Sequence, residues 1–343
     1  MTYAPLRLNL DGAALVGNWR ALSAMSGGAA CGAAIKADGY GLGAVEVVKR
    51  LAAAGCRDFF VANWAEANAI AALGVQVSVL HGVRDADMML AAAGGARPVL
   101  NTANQVVRWK QAGGGPCDVM VDTGMNRLGL SVDDVTSGLL DGVQVETLMS
   151  HLACADEDDA MNERQRATFA ALAGRTQAKR LSLANSAGIG LGSDYAFDLT
   201  RPGLALYGGV PRPEFNGVVR QVVTPEAQIL QRRTVPAGGM IGYNAIFTAP
   251  AEIEVAILNL GYADGYFRGF SDKGAALFEG RRLPLLGRVS MDLIAVDVSG
   301  APELGEGDWL SLDYALPEAA ALSGMSQYEL LTGLGKRFDR VWR

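Results

Sequence analysis

The chain has 343 residues, half of them apolar and only 19% charged, with 30 Lys and Arg against 36 Asp and Glu and a formal net charge of −6. That length predicts about two domains, with cores large enough to need neither a disulfide nor a structural metal. The low charge excludes extended disorder, the acidic balance excludes a basic nucleic-acid footprint, and no apolar run reaches the roughly 18 residues of a membrane span. Cys31, Cys56, Cys117 and Cys154 form no CxxC, and with only His81 and His151 beside them no metal site is expected. The opening residues MTYAPLRLNLDGAALVGNW lack a basic segment followed by an apolar one. A secretory leader is therefore not expected, and the cytoplasm is.

In chain order, LRLNL (6–10) reads as a strand that adds to a later domain. Short apolar runs then alternate with Ala-rich segments: 31–37, 59–63, 77–80, 97–101, 117–122, 145–151, 180–185 and 203–207 read as strands. Helices such as 43–54 and 160–174 fill the intervals. Near-continuous apolar strands are those covered on both faces of a parallel sheet. Eight strand–helix units predict a TIM (β/α)8 barrel over 11–221. An open doubly wound sheet is the rival, but no GxGxxG follows the first strand. From 222 the pattern changes to strands at 227–235, 252–259, 276–279, 283–286, 292–298 and 308–312, separated by turn signals such as PAGG and LGEGD. A mainly antiparallel β domain is expected over 222–343, joined by strand 1–10.

Barrel chemistry gathers where strands end. The first strand ends in Lys36, and an ammonium desolvated there loses pKa and becomes a nucleophilic amine. A lysine snorkelling to the rim is the bland alternative. Further strand ends deliver Asp122 to Arg127, then His151, then Asn185 and Ser186, with Arg201, Pro202 and Gly203 just before the last. Hydroxyls with backbone N–H groups hold a phosphate without a P-loop. A candidate Schiff-base lysine with a phosphate cradle points to pyridoxal 5′-phosphate (PLP).

Nine motifs in order then carry a resemblance: AIKADGYGLG (34–43), VDTGMNRLGL (121–130), SHLACADE (150–157), ANSAG (184–188), RPGLALYGG (201–209), IGYNAIFTA (241–249), LGYADGYFR (260–268), GRVSMDLIAVDV (287–298) and QYELLTGLGKRFDRVWR (327–343). The chain resembles the bacterial alanine racemases, a fold-type III PLP family, along nearly its whole length. The resemblance implies an isomerase interconverting L- and D-alanine, a homodimer with shared active sites, and D-alanine supply for peptidoglycan. It implies that Lys36 binds PLP covalently and that Tyr243, from the other subunit, is the second acid/base. Arg201 matches the partner of the pyridine nitrogen, and an arginine there, which does not give up its proton, leaves that nitrogen unprotonated. Tyr40, Ser186, Gly203, Leu204 and Tyr328 match the phosphate contacts, with Asn185 among the cofactor-binding residues. His151 matches the residue linking the catalytic tyrosine to Arg201. Arg127 and the Met291 backbone match the substrate-carboxylate site, and Asp156, Tyr262, Arg268 and Arg288 the substrate channel.

A two-base racemase needs an acid/base on each side of the cofactor plane, and tyrosine, with a reference pKa of about 10, needs positive charge beside it. His151 and Arg201 are the expected sources. The chain departs from the pattern at Met120, where many members carry a carbamylated lysine that holds the substrate-binding arginine. Asn244 and Ile246 likewise replace the commoner Gly and Thr. A broad-specificity or serine racemase is the nearest rival. A non-catalytic PLP carrier would lack the segment 222–343. A decarboxylase of this fold would bring a cysteine from its C-terminal domain, whereas all four cysteines here precede residue 155.

Overall fold

The computed structural model describes residues 4–343. They form two compact units, one of Leu15–Arg220 and one of Gln221–Arg343 together with the residues up to Ala14. The N-terminal strand β1 (Leu6–Leu10) belongs to the second, pairing antiparallel with 223–227 and parallel with 339–342.

The Leu15–Arg220 unit is a parallel barrel. Its strands are β2 (Ala30–Cys31), β3 (Ala33–Ala34), β4 (Asp58–Val61), β5 (Gln76–Val79), β6 (Arg97–Leu100), β7 (Cys117–Met120), β8 (Val145–Met149), β9 (Arg180–Ser182) and β10 (Leu199–Thr200). Strands β3 to β9 pair in chain order, every pair parallel. The eighth position is taken by β10, which pairs with β2; Gly32 N donates to Thr200 O and Arg201 N to Ala184 O, closing the ring. The run DFFV of β4 is buried at every position because helices cover its outer face. The helix Ala44–Ala54 shows the matching stripe, burying Ala44, Val47, Val48 and Leu51 at helical spacing. Helix starts are fixed by side-chain caps: Asn63 accepts from Glu66 N, Thr102 from Gln105 N and Asn185 from Gly188 N.

One expected strand is absent. Residues 203–207 do not extend; Leu204–Tyr207 is a 3-10 turn. Its four apolar side chains are buried, which is why the run reads as a strand, but Gly203 at ψ −87° breaks the extended path. The strand is Leu199–Thr200, so Arg201 follows the last barrel strand instead of preceding it. It thereby lies at the same end as Lys36 and His151.

The second unit is antiparallel apart from the β1 edge. It contains β11 (Val223–Val235), β12 (Met240–Ile241), β13 (Phe247–Thr248), β14 (Ile253–Leu258), β15 (Ala275–Phe278), β16 (Arg281–Leu286), β17 (Ile294–Asp297), β18 (Trp309–Leu312) and β19 (Asp339–Trp342). The eight-stranded order is β14-β17-β16-β15-β18-β11-β1-β19, and β14 also pairs with β11. A register shift between Ile229 and Gln231 lets the long β11 serve two sets of neighbours. Ile241, Val255, Leu286 and Ala295 form a small core that fastens the β12–β13 hairpin to the sheet. Helices Leu316–Ser323 and Gln327–Thr332, not foreseen from the strand pattern, follow β18.

Candidate active site

Lys36 lies two residues beyond β3 and opens a turn in which Ala37, Asp38, Gly39 and Tyr40 all have φ between 53° and 64°. Three of these four are not glycine, so the turn is strained and persists only because its neighbours over-determine it. Ala44 N donates to Asp38 Oδ1 (2.8 Å) and Gly43 N to Asp38 O (2.9 Å). Glu66 accepts from Ala37 N (2.9 Å) with one oxygen and from Ala62 N (2.8 Å) with the other. Sequence reasoning passed over Glu66; its only signal is its place three residues after the cap Asn63. At Gly39 a Cβ would come within 3.2 Å of the Ala44 backbone and of Val47.

The Lys36 amine is open to the barrel mouth. Surrounding protein still strips enough water, and Arg127 and Arg201 add enough positive charge, to hold its ammonium below the usual lysine range against the pull of Glu66. Arg127 is exposed on the loop after β7, and among the described residues it forms no ion pair. Met120, buried on β7, supplies it no anion. His151 follows β8. Its pKa is pushed down to about 3, by burial first and then by the charges of Arg201, Arg127 and Lys36. It is therefore neutral near pH 7. Burial first, and the three cationic neighbours after it, disfavour the positive charge that a field beside the tyrosine would need from His151.

Arg201 is 6% exposed. Its Nη1 donates to Ser182 Oγ, and Nη2 to Ser150 O (2.5 Å). Burial lowers its pKa to about 10, which leaves it charged at neutral pH. With both terminal nitrogens engaged, Nε remains for a ligand. Ser186 Oγ accepts from Gly203 N (2.9 Å) and Ala205 N (3.1 Å). A Cβ at Gly203 would sit 2.2 Å from the Tyr40 hydroxyl. Tyr40 stacks on Tyr207 at 4.6 Å, and Tyr207 anchors itself to Ala34 O (3.0 Å). Thus the Tyr40 hydroxyl, the Ser186 hydroxyl and the Gly203 and Ala205 amides converge at the start of the 186–190 helix. Leu204 is buried against this turn, and Asn185 caps the helix by accepting from Gly188 N (2.8 Å). The Ala205 amide was not anticipated, because a strand at 203–207 would have directed it elsewhere. Asp156 lies exposed on the loop after His151.

In the second unit, Tyr243 occupies the tip of the β12–β13 hairpin, 68% exposed, between Gly242 at φ 75° and Asn244 at φ 62°. Asn244 takes the left-handed conformation that asparagine tolerates better than other non-glycine residues. Arg288 lies half-buried beyond β16, its backbone N 3.8 Å from where a Gly242 Cβ would be. Tyr262 is half-buried, with the Arg268 guanidinium 4.9 Å from its ring centre. Met291 O accepts from Ala263 N (3.0 Å), and Gly261 passes so close that a Cβ would lie 2.2 Å from that oxygen. Arg337 ties these loops together, bonding Asp264 (2.6 Å) and Asp292 (2.7 Å). Tyr328 lies on the helix Gln327–Thr332. Tyr266, by contrast, is a core residue stacked on Phe270 at 4.3 Å.

Comparison with known proteins settles the family. The model for the alanine racemase N-terminal domain matches residues 10–211, and that for the C-terminal domain residues 222–342. The chain belongs to the alanine racemase family. It is 44% identical to an alanine racemase of Methylobacterium nodulans over 97% of this chain and 95% of that one. It is 40% identical to a catabolic alanine racemase of Agrobacterium fabrum over 98% and 91%. The alanine racemase of Bartonella henselae, solved with covalently bound pyridoxal phosphate, superposes with a TM-score of 0.91 at 34% identity, covering 98% of this chain and 99% of that one. The biosynthetic alanine racemase of Pseudomonas aeruginosa gives 0.90 at 31% identity over the whole of both chains. Both units thus have alanine racemase counterparts, and no helix among the described residues is long and apolar enough to cross a membrane.

Proposed function

We propose that this chain is a PLP-dependent alanine racemase, a cytoplasmic homodimer with shared sites that supplies D-alanine for peptidoglycan. The observation that carries the reading is the barrel mouth, where a lysine of lowered pKa and a buried arginine accompany the hydroxyl and amide groups gathered at Ser186, Gly203 and Ala205. The residues fit PLP: a Gly203 Cβ would fill the cradle, Arg201 Nε is the donor left for a ring nitrogen, and Lys36 is the amine for covalent attachment. When bound, PLP supplies the electron withdrawal that makes an amino acid's Cα–H acidic. The protein then has to place a base on each face of that carbon.

Lys36 Nζ holds or moves the proton at Cα on one face. Desolvation first, and then the charges of Arg127 and Arg201, shift its pKa down, the direction that favours a base. Tyr243 Oη, from the partner chain, serves the other face. Because His151 is neutral, the positive field that favours the phenolate comes from Arg201 and Arg127. Tyr40, Ser186, Gly203, Leu204 and Tyr328 hold the phosphate, and Arg127 with the Met291 N–H holds the substrate carboxylate. Asp156, Tyr262, Arg268 and Arg288 line the approach. Borohydride reduction of the PLP-loaded protein, followed by peptide mapping, is expected to place the pyridoxyl group on Lys36. A label on another lysine overturns the cofactor assignment. A chiral assay over a panel of L-amino acids is expected to give alanine the highest kcat/KM, and a higher value for serine overturns the substrate assignment.

A further inference from the structure

The opposite end of the barrel, where the strands begin, carries a charged layer in place of the usual apolar floor. Asp58, Arg97 and Arg180 are the first residues of β4, β6 and β9, and Asp118 is the second of β7. Asp58 is committed, accepting from Arg180 with both oxygens (2.7 and 3.1 Å). Asp118 Oδ2 accepts from Ser78 Oγ at 2.6 Å. Arg97 is the exception. It forms only long ion pairs, Nε to Asp118 Oδ2 at 3.5 Å and Nη2 to Asp58 Oδ1 at 3.9 Å; among the described residues its guanidinium donates no hydrogen bond, and both its Nε and Asp118 Oδ1 are buried without a hydrogen-bond partner. A buried N–H left without a hydrogen-bond partner is costly.

Arg97 does have space in front of it. It lines two cavities of about 570 and 510 Å³, which share it and Gln76. The charged residues lining the larger are Arg57, Asp58, Arg97 and Arg180, three cations against one carboxylate that is already paired. In the smaller, the one acidic lining residue, Glu146, is held by Lys179 at 2.7 Å. Asp118 lines neither cavity.

We propose that this floor is a second ligand site, in which Arg97, with Arg180 and Arg57 at the rim, takes a small oxyanion-bearing metabolite, a phosphate ester or a dicarboxylate. A guanidinium presents a planar fork that matches either group bidentately, and volumes above 500 Å³ exceed the need of a bare ion. The site is built wholly from the barrel unit and does not rest on the racemase reading.

The test titrates the PLP-loaded protein by calorimetry with inorganic phosphate and, separately, with malonate, at constant ionic strength set by chloride. PLP loading keeps the phosphate cradle at the other mouth filled. Saturable binding of at least one probe is expected, and the stronger of the two identifies the class. Arg97→Met is expected to weaken it about tenfold or more, the loss of one charge-assisted pair. Because Arg97 is only partly exposed and its removal leaves Asp118 without its ion pair, Arg57→Gln at the exposed rim is the second variant, with an expected loss of a few-fold and a shallower salt dependence. Absence of saturable heat in the wild type overturns the proposal. So does equal affinity across the wild type and every variant that folds, or chloride competing as well as the probe does.

Discussion

Substituting Gly203 by alanine tests the cradle directly. The added methyl would sit 2.2 Å from the Tyr40 hydroxyl and 2.9 Å from its ring carbon Cζ, whereas ordinary contact begins near 3.4 Å. Tyr40 must retreat by more than an ångström. It has little freedom to do so, being buried, stacked on Tyr207 at 4.6 Å and anchored at a φ of 55°. Overpacking of this kind costs about 1–3 kcal/mol, so a thermal midpoint several degrees lower is expected for the apo protein. Displacing the hydroxyl also removes one donor to a charged phosphate, which raises the Kd for PLP roughly 10- to 100-fold. The cofactor absorbance in an equilibrium titration reads the second effect. Adding Tyr40→Phe removes the atom in the closest clash and should restore much of the thermal midpoint without restoring PLP affinity, since the donor is gone in both variants. That split separates packing from binding. A Gly203→Ala protein as stable and as tightly PLP-bound as the wild type would refute the geometry.

Lys36→Ala and Tyr243→Phe should each be nearly inactive alone. Co-refolded, they form mixed dimers in roughly half of random pairings, each with one intact site of two, so roughly a quarter of wild-type activity should return; no recovery sinks the cross-subunit site. With Met120 where a carbamylated lysine would stand, turnover should be indifferent to degassing and to added bicarbonate, and a clear bicarbonate requirement would show that another lysine does that job. His151 binds a proton when unfolded, near pH 6.5, but folded only near about 3. Its contribution to stability is therefore whole above pH 6.5 and is lost as pH falls toward 3, at up to ~1.4 kcal/mol per unit. Urea midpoints should decline less steeply over that window in His151→Asn, and identical slopes would contradict the buried neutral state.

The sequence alone determined the strand–helix alternation, the change of pattern at 222, Lys36 at a strand end and the motifs that bring Arg201, Ser186 and Tyr243 into one family. Each of these is local: a covered parallel strand reads as an apolar run, and a motif reads as a string of letters. Tertiary structure decided what depends on partners distant in the chain. Residues 203–207 are as apolar as a strand, yet ring closure needs only Leu199–Thr200 beside Ala30–Cys31, and the chain then turns so that the Ala205 amide meets Ser186. Glu66 looks like an ordinary helix-start acid until the fold places it beneath the strained turn after Lys36. His151 reads as a potential cation, but burial among Arg201, Arg127 and Lys36 keeps it neutral. Arg97 gives no sign in sequence that its ion pairs will be too long for hydrogen bonds, because bonding between strands is settled by register and by which carboxylates are already committed. Local pattern is set by each residue's own polarity and period; charge state and donor satisfaction are set by desolvation and neighbours, which exist only once the barrel has closed.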